Sequence, residues 1–267
     1  MIPTWDRYAG ARLTAAVASI AAQERPVRIV VVDNASTLAL PELEEAEVLR
    51  SEMRVTLGAA RNLGLAAITT ANVIFWDADD LMTPGTLAFL EDELERDPRL
   101  VAFGAAIVEE PSGIRHRWPR RWIAHAIAYP RLFALVNCAW SMFPTTGATV
   151  MRTSTVRASG GYADADSGED WCLGVALAFR GRLGWSERPG RRYLQHAGSI
   201  WDAHGTARHQ VAHAAAVRKR LASDTAVPAW LRSGLPLVAL AQWGAVAAHL
   251  LVALSRRRVP RGRGPDA

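Results

Sequence analysis

Four large apolar residues, Val73-Ile74-Phe75-Trp76, run straight into Asp77-Ala78-Asp79-Asp80. A short apolar run of this kind reads as a strand buried on both faces, as in a parallel sheet. Such a strand delivers whatever follows it to the carboxyl edge of the sheet, where open α/β folds bind their ligands. Three carboxylates this close repel one another, so the cluster is costly unless a cation sits among them. The simplest occupant is a hard divalent ion, Mg²⁺ or Mn²⁺, completed by phosphate oxygens. The plainer alternative is a solvated acidic turn that ends a strand and leads into a helix from Pro84 onward.

The residues around this turn predict strands alternating with helices. Ile2-Pro3-Thr4-Trp5 reads as the end of a strand and its turn. Leu13, Val17 and Ile20 fall at helical spacing. The β-branched run Ile29–Val32 closes on Asp33-Asn34-Ala35-Ser36, a strand ending in a turn. Pro41 to Arg50 reads as a short acidic helix and Val55-Thr56-Leu57 as a short strand. A helix follows from Gly58 to about Thr70, then the acidic strand end, a helix over Pro84–Glu95 and a strand over Leu100–Val108. This alternation argues for an α/β fold with a mostly parallel three-layer sheet. Beyond Glu109 the pattern breaks: tryptophan and arginine interleave at Arg117, Trp118, Arg120, Arg121 and Trp122. A strand is expected at Thr146–Met151, a turn at Gly160-Gly161-Tyr162, a helix after Glu169-Asp170-Trp171, and a strand near Trp185 and Tyr193–His196. Arg208–Ser223 is a polar helix, and Leu235–Leu254 a largely apolar one.

At 267 residues, half of them apolar, the chain can bury one large core or two modest ones. Cys138 and Cys172 make neither a disulfide framework nor a metal quartet, which fits a reducing, cytoplasmic setting. Met1–Asp6 has neither the basic start nor the apolar run of a secretory signal. The net charge of +5 belongs mostly to the tail arginines Arg256, Arg257, Arg258, Arg261 and Arg263. The rest is nearly neutral, so no nucleic-acid partner is expected. The Leu235–Leu254 run is as long as a bilayer span, but Gln242 and His249 interrupt it. It reads either as a helix lying in the interface of the membrane's inner face or as one docked on the domain.

Taken together, Ile2-Pro3-Thr4-Trp5-Asp6-Arg7, Val31-Val32-Asp33-Asn34-Ala35-Ser36, Ala60-Arg61-Asn62-Leu63-Gly64, Asp77-Ala78-Asp79-Asp80 and Gly160-Gly161-Tyr162 leading to Glu169-Asp170-Trp171 resemble the family 2 glycosyltransferases. The resemblance covers about residues 2–204. It implies a GT-A (Rossmann-like) fold over 1–204, with a nucleotide-binding half of about 1–108 and an acceptor-binding half of about 109–204. A C-terminal helical extension follows: a polar helix at 205–227, an apolar helix at 228–254 and a basic disordered tail at 255–267. Relatives begin with a full apolar strand where only Met1 and Ile2 stand here, so the strand is expected either to begin further upstream, the preferred reading, or to be reduced to a stub.

The resemblance further implies an inverting, metal-dependent transfer from a nucleotide diphosphate sugar to an acceptor hydroxyl; the Trp/Arg-rich stretch from Arg117 to Trp122 and the apolar C-terminal run point to a glycan or lipid-linked acceptor. Pro3, Thr4, Trp5, Asp33, Asn34, Arg61, Asp77 and Asp79 would contact the nucleotide sugar. The family usually has Asp where Asn34 stands. Asp33 ends its strand where base or ribose would bind, or else makes an ordinary Asx turn. Arg61, in the first turn of a helix whose amides favour anions, suits a pyrophosphate or else a surface ion pair. Asp79, Asp80 and His196 would hold the metal. Asp170 would be the general base with Glu169 beside it, unless Ser167 or Glu169 merely caps a helix. Trp171 would stack on the acceptor or belong to the core. His204, His209 and His213 read as solvated.

Two rivals remain open. Haloacid-dehalogenase-like phosphatases also place Asp-x-Asp after an apolar strand, but want Thr or Val at Leu81 and a downstream lysine, and the only lysine is Lys219. A catalytically silent nucleotide-binding relative is the other.

Overall fold

The computed structural model describes residues 1–110, 115–116, 127–194 and 207–257. The first half contains strand β1 (Ile2–Thr4), helix α1 (Ala11–Ala21), strands β2 (Ile29–Asp33) and β3 (Ala46–Arg50), helix α2 (Leu57–Ala67), strands β4 (Asn72–Ile74) and β5 (Leu81–Met82) and helix α3 (Thr86–Arg96). It continues through β6 (Leu100–Glu110), β7 (Arg115–His116), α4 (Pro130–Ala139), β8 (Thr149–Arg152), α5 (Thr153–Ala158), α6 (Glu169–Ala178) and β9 (Arg182–Leu194). The C-terminal extension is α7 (Ala207–Ser223), α8 (Ala229–Ser233) and α9 (Leu235–Arg257).

Strands β1, β2 and β3 form a parallel sheet in that order. Its register sets Thr4 beside Asp33, and Asp33 beside Arg50, at the carboxyl edge. A six-stranded sheet runs β4-β8-β6-β9-β5, with β7 added to β6. Met1 joins the two: its amino group donates to the Ile74 carbonyl at 2.9 Å, and its carbonyl accepts from the Trp76 N–H at 2.8 Å. This is a parallel ladder, as the apolar run before the acidic turn suggested.

The α/β class is as expected, but the strand directions need correcting. In the second sheet only β6 and β9 pair parallel; β4–β8, β8–β6, β6–β7 and β5–β9 are antiparallel. After β6 the chain turns back across the sheet and no longer follows the strand–helix alternation of its first hundred residues. The acidic helix expected over 41–50 is instead partly β3, because pairing there satisfies the open edge of the fully buried β2. Val55-Thr56-Leu57 is not a strand: the Thr56 hydroxyl accepts from the Ala59 N–H at 3.2 Å and caps α2.

The three layers follow from the two-residue period of the strands. Val30, Val32, Val73 and Phe75 face a core closed by Leu65, Phe133, Leu173 and Leu177 from α2, α4 and α6. Ile29, Val31, Ile74 and Trp76 face the opposite core, closed by Leu13, Val17, Leu87 and Leu90 from α1 and α3. The extension docks on a third cluster, in which Val217, Leu221, Leu231 and Val238 meet Cys138, Trp171 and Cys172. Gln242 is buried there, donating to the Cys138 carbonyl at 2.8 Å and accepting from Arg218. Among the described residues no helix is long and apolar enough to cross a membrane.

Candidate functional site

The acidic turn leaves β4 with its backbone already constrained. The Trp76 indole N–H donates to the Asp80 carbonyl at 2.9 Å, and the Leu194 N–H donates to Asp80 Oδ1 at 3.1 Å. Asp77 lies between two guanidinium groups: Arg61 Nη2 donates to its Oδ1 at 3.0 Å and Arg191 Nη2 to its Oδ2 at 2.7 Å. Arg191 also pairs with Asp80, and Arg61 with Glu169. The result is a largely buried chain of alternating charge, Glu169–Arg61–Asp77–Arg191–Asp80. It runs from the first turn of α6 to the acidic turn.

Burial and pairing set the charges in this chain. Burial opposes ionisation of Asp77, yet Arg191 and Arg61 together hold its carboxyl below the usual range. Asp80 is fully buried, and that burial pushes its carboxyl up to about 7 despite Arg191. Burial likewise lifts Glu169 to about 7 against the pull of Arg61. Burial opposes the charge on Arg61 and Arg191 too, but the facing carboxylates outweigh it and raise both.

Gly168, with φ at 75°, precedes Glu169 and starts α6 without a side-chain cap. A Cβ there would lie 2.6 Å from the His213 ring, so the glycine admits α7 against the turn. His213 is therefore not simply solvated: its Nε2 lies 2.7 Å from Ser167 Oγ. Asp170 is half-buried; its Oδ1 accepts from the Trp171 N–H at 2.7 Å, and its carbonyl accepts from Thr145 Oγ1 at 3.2 Å.

At the edge of the parallel sheet, Asp33 Oδ1 accepts from the Ser36 N–H at 2.9 Å and its other oxygen pairs with Arg50. Asn34 exchanges two hydrogen bonds with the Val55 backbone, at 2.8 and 2.9 Å. Pro3 pairs with Val32 in the ladder, and the Arg54 guanidinium lies 4.6 Å over the Trp5 ring. Thr4 Oγ1 and Ser36 Oγ are buried without a hydrogen-bond partner among the described atoms.

Several expectations change. Arg61 does not offer its guanidinium at an open helix end: it is 3% exposed and engaged by two carboxylates. The α2 N-terminus is itself covered, since the Leu57 N–H donates to Asp166 Oδ1 at 3.0 Å and the Gly58 N–H to the Ala165 carbonyl at 3.0 Å. Trp171 is a core residue, its indole N–H donating to the Asn137 carbonyl at 2.6 Å, so it is not placed to stack on an acceptor. Of the expected metal trio, Asp80 is placed against another partner. Asp80 is buried on Arg191, and His196 lies outside the described residues, as do Arg117–Trp122 and His204. Among the described residues no three His, Cys, Asp or Glu side chains are grouped to hold an ion. Sequence reasoning missed Arg191 altogether; its only signal was alternation in β9, which turns one of the pair Arg191-Arg192 inward.

These features define a class: a mixed α/β protein of GT-A architecture with a carboxylate-rich edge. The sequence model for "Glycosyl transferase family 2" matches residues 1–157, well over half of the chain. The chain belongs to that family. No curated protein is matched by its sequence. Among solved structures, the protein resembles S. aureus TarS 1-349 in complex with UDP-GlcNAc, with a TM-score of 0.62 at 14% identity over 84% of this chain and 66% of that one. It also resembles S. aureus TarS 1-349 in complex with UDP, with a TM-score of 0.59 at 16% identity over 84% and 65%. The chain spans about two thirds of those truncated proteins and 39% of the longer TarS structure.

Proposed function

We propose that the protein transfers a sugar from a nucleotide diphosphate sugar to an acceptor hydroxyl, with inversion at the anomeric carbon. One observation carries this reading. A single guanidinium, Arg61, ties Glu169, the neighbour of Asp170, to Asp77 of the acidic turn. The candidate base and the candidate donor turn thus belong to one assembly, although 93 residues separate Asp170 from Asp77 in the sequence.

In this mechanism the Asp170 carboxylate removes the proton from the acceptor hydroxyl as that oxygen attacks the anomeric carbon. The bond from that carbon to the diphosphate breaks, and the nucleotide diphosphate departs from the opposite face. Arg61 holds Asp77 and Glu169 in place. Pro3, Thr4, Trp5, Asp33 and Asn34 would line the nucleotide side, a reading supported by the buried hydroxyls of Thr4 and Ser36, which lack a hydrogen-bond partner among the described atoms. In this reading Asp79 would contact the sugar-diphosphate. The bound UDP-GlcNAc and UDP of the TarS structures support a nucleotide sugar as donor, with UDP, GDP and dTDP as the nucleotides to test.

Enzymes of this family often use divalent metals. Asp80, one of the expected ligands, is paired with Arg191 instead, so no step is routed through an ion. The acceptor we favour is a glycan or lipid-linked glycan of the cell envelope, reached from the cytoplasmic side. The Trp/Arg-rich stretch and the outer face of α9 motivate that choice.

The test is donor consumption with envelope acceptors and each nucleotide sugar in turn. Asp170→Asn should lower kcat by about 10²–10⁴-fold and leave the nucleotide diphosphate Kd unchanged. Full activity of that variant would remove the assignment. Nucleotide binding with no turnover would point to a silent relative, and phosphate release from a simple phosphomonoester to the phosphatase.

A further inference from the structure

We propose that Arg191 is the internal counter-cation of the acidic turn, filling the place among its carboxylates where a divalent ion is expected. Two carboxylates converge on one buried guanidinium. Arg191 Nη2 donates to Asp77 Oδ2 at 2.7 Å and pairs with Asp80 Oδ2. The repulsion that makes such a cluster costly is thereby relieved by the protein's own charge.

The surrounding chain is shaped to deliver that charge. Gly147, with φ at 77°, lies where a Cβ would come within 2.5 Å of Arg191 Nη1 and 2.6 Å of its Cδ. Any other residue would therefore displace the guanidinium. The Gly190 carbonyl accepts from the Thr83 N–H at 3.1 Å and from Thr86 Oγ1 at 3.3 Å, fixing β9 next to Arg191. The guanidinium stands 5.7 Å from the Tyr193 ring centre, a further favourable site for a cation.

Asp80 completes the case. Its side chain is fully enclosed: Oδ2 is in ion-pair contact with Arg191 but makes no hydrogen bond among the described atoms, and Oδ1 accepts the Leu194 N–H at 3.1 Å. A metal ion at that Oδ2 would meet a buried guanidinium of like charge. The donor turn is therefore held in shape without a divalent ion, and Asp80 is a positioning residue rather than a metal ligand. This deepens the transferase reading and depends on it for its meaning, but it fails separately, because the test needs no turnover.

The probe is Mn²⁺ alone, titrated into full-length, donor-free protein and followed by the electron paramagnetic resonance of the free ion. Asp80→Asn should bind Mn²⁺ as the wild type does. Arg191→Gln should bind it at least about tenfold more tightly, because two carboxylates lose their partner, and adding Asp80→Asn should abolish the gain. A purely structural arginine would give no such gain. Weakening of Mn²⁺ binding by Asp80→Asn alone, or no tightening in a folded Arg191→Gln protein, would overturn the proposal. If Arg191→Gln does not fold, the Asp80→Asn comparison decides by itself.

Discussion

Burial holds the Glu169 carboxyl at about 7 in the folded protein, against an ordinary value of 4.5. Its Oε2 is buried without a hydrogen-bond partner among the described atoms, which favours the protonated form. The folded chain therefore holds this proton more tightly than the unfolded chain does. By linkage, the stability that Glu169 contributes is fully present below about pH 4.5 and is lost as pH rises to about 7. Asp80 acts in the same sense and Asp77 in the opposite one, so the difference between variants is the informative quantity. The melting temperature of wild type relative to Glu169→Gln should fall across that window and level off above it. A flat difference would mean that the carboxylate stays ionised throughout.

Among the elements, α9 explains why its sequence was ambiguous. Val238, Gln242 and Val246 are buried against the domain, so the polar interruption at Gln242 is an anchor rather than a flaw in a span. The opposite face leaves Leu237, Leu240 and Trp243 exposed, with Trp230 of α8 exposed as well. No charged residue falls between Arg232 and Arg256, and five arginines follow. An apolar, tryptophan-bearing face next to a basic tail suits an anionic lipid surface. Flotation with liposomes containing anionic lipid should capture the full-length protein. Leu237→Ser, Leu240→Ser and Trp243→Ser together should reduce capture by about tenfold while leaving the buried stripe intact. Equal capture of both proteins would end the membrane proposal.

At the scale of the whole molecule, the ionic chain joins residues 61, 77, 80, 169 and 191, drawn from four separate segments. A ligand bound against it should stabilise the fold as a unit. A nucleotide diphosphate at about a hundred times its Kd should add about 2.7 kcal/mol, or roughly 5 to 10 °C in Tm. A thermal-shift series of UDP, GDP and dTDP, with and without Mn²⁺, would identify the nucleotide. No shift with any of them would count against the donor site.

Much of this protein was legible in local sequence. The β-branched run of β2, the apolar run before Asp77 and the helical spacing of Leu13, Val17 and Ile20 are patterns of period 2 and 3.6, set by backbone geometry alone. The acids at 77, 79, 80, 169 and 170 were visible because charge next to apolar sequence is rare without a reason. Partnership was not visible. That Arg61 faces inward, that Arg191 reaches Asp80, that Trp171 is core and that 46–50 is a strand all depend on contacts between distant segments. Sequence determined which residues carry the charge and which elements hold them. Only the tertiary structure decided which charge neutralises which, because an ion pair in a buried site forms wherever folding brings its two halves within about 4 Å, at whatever separation along the chain.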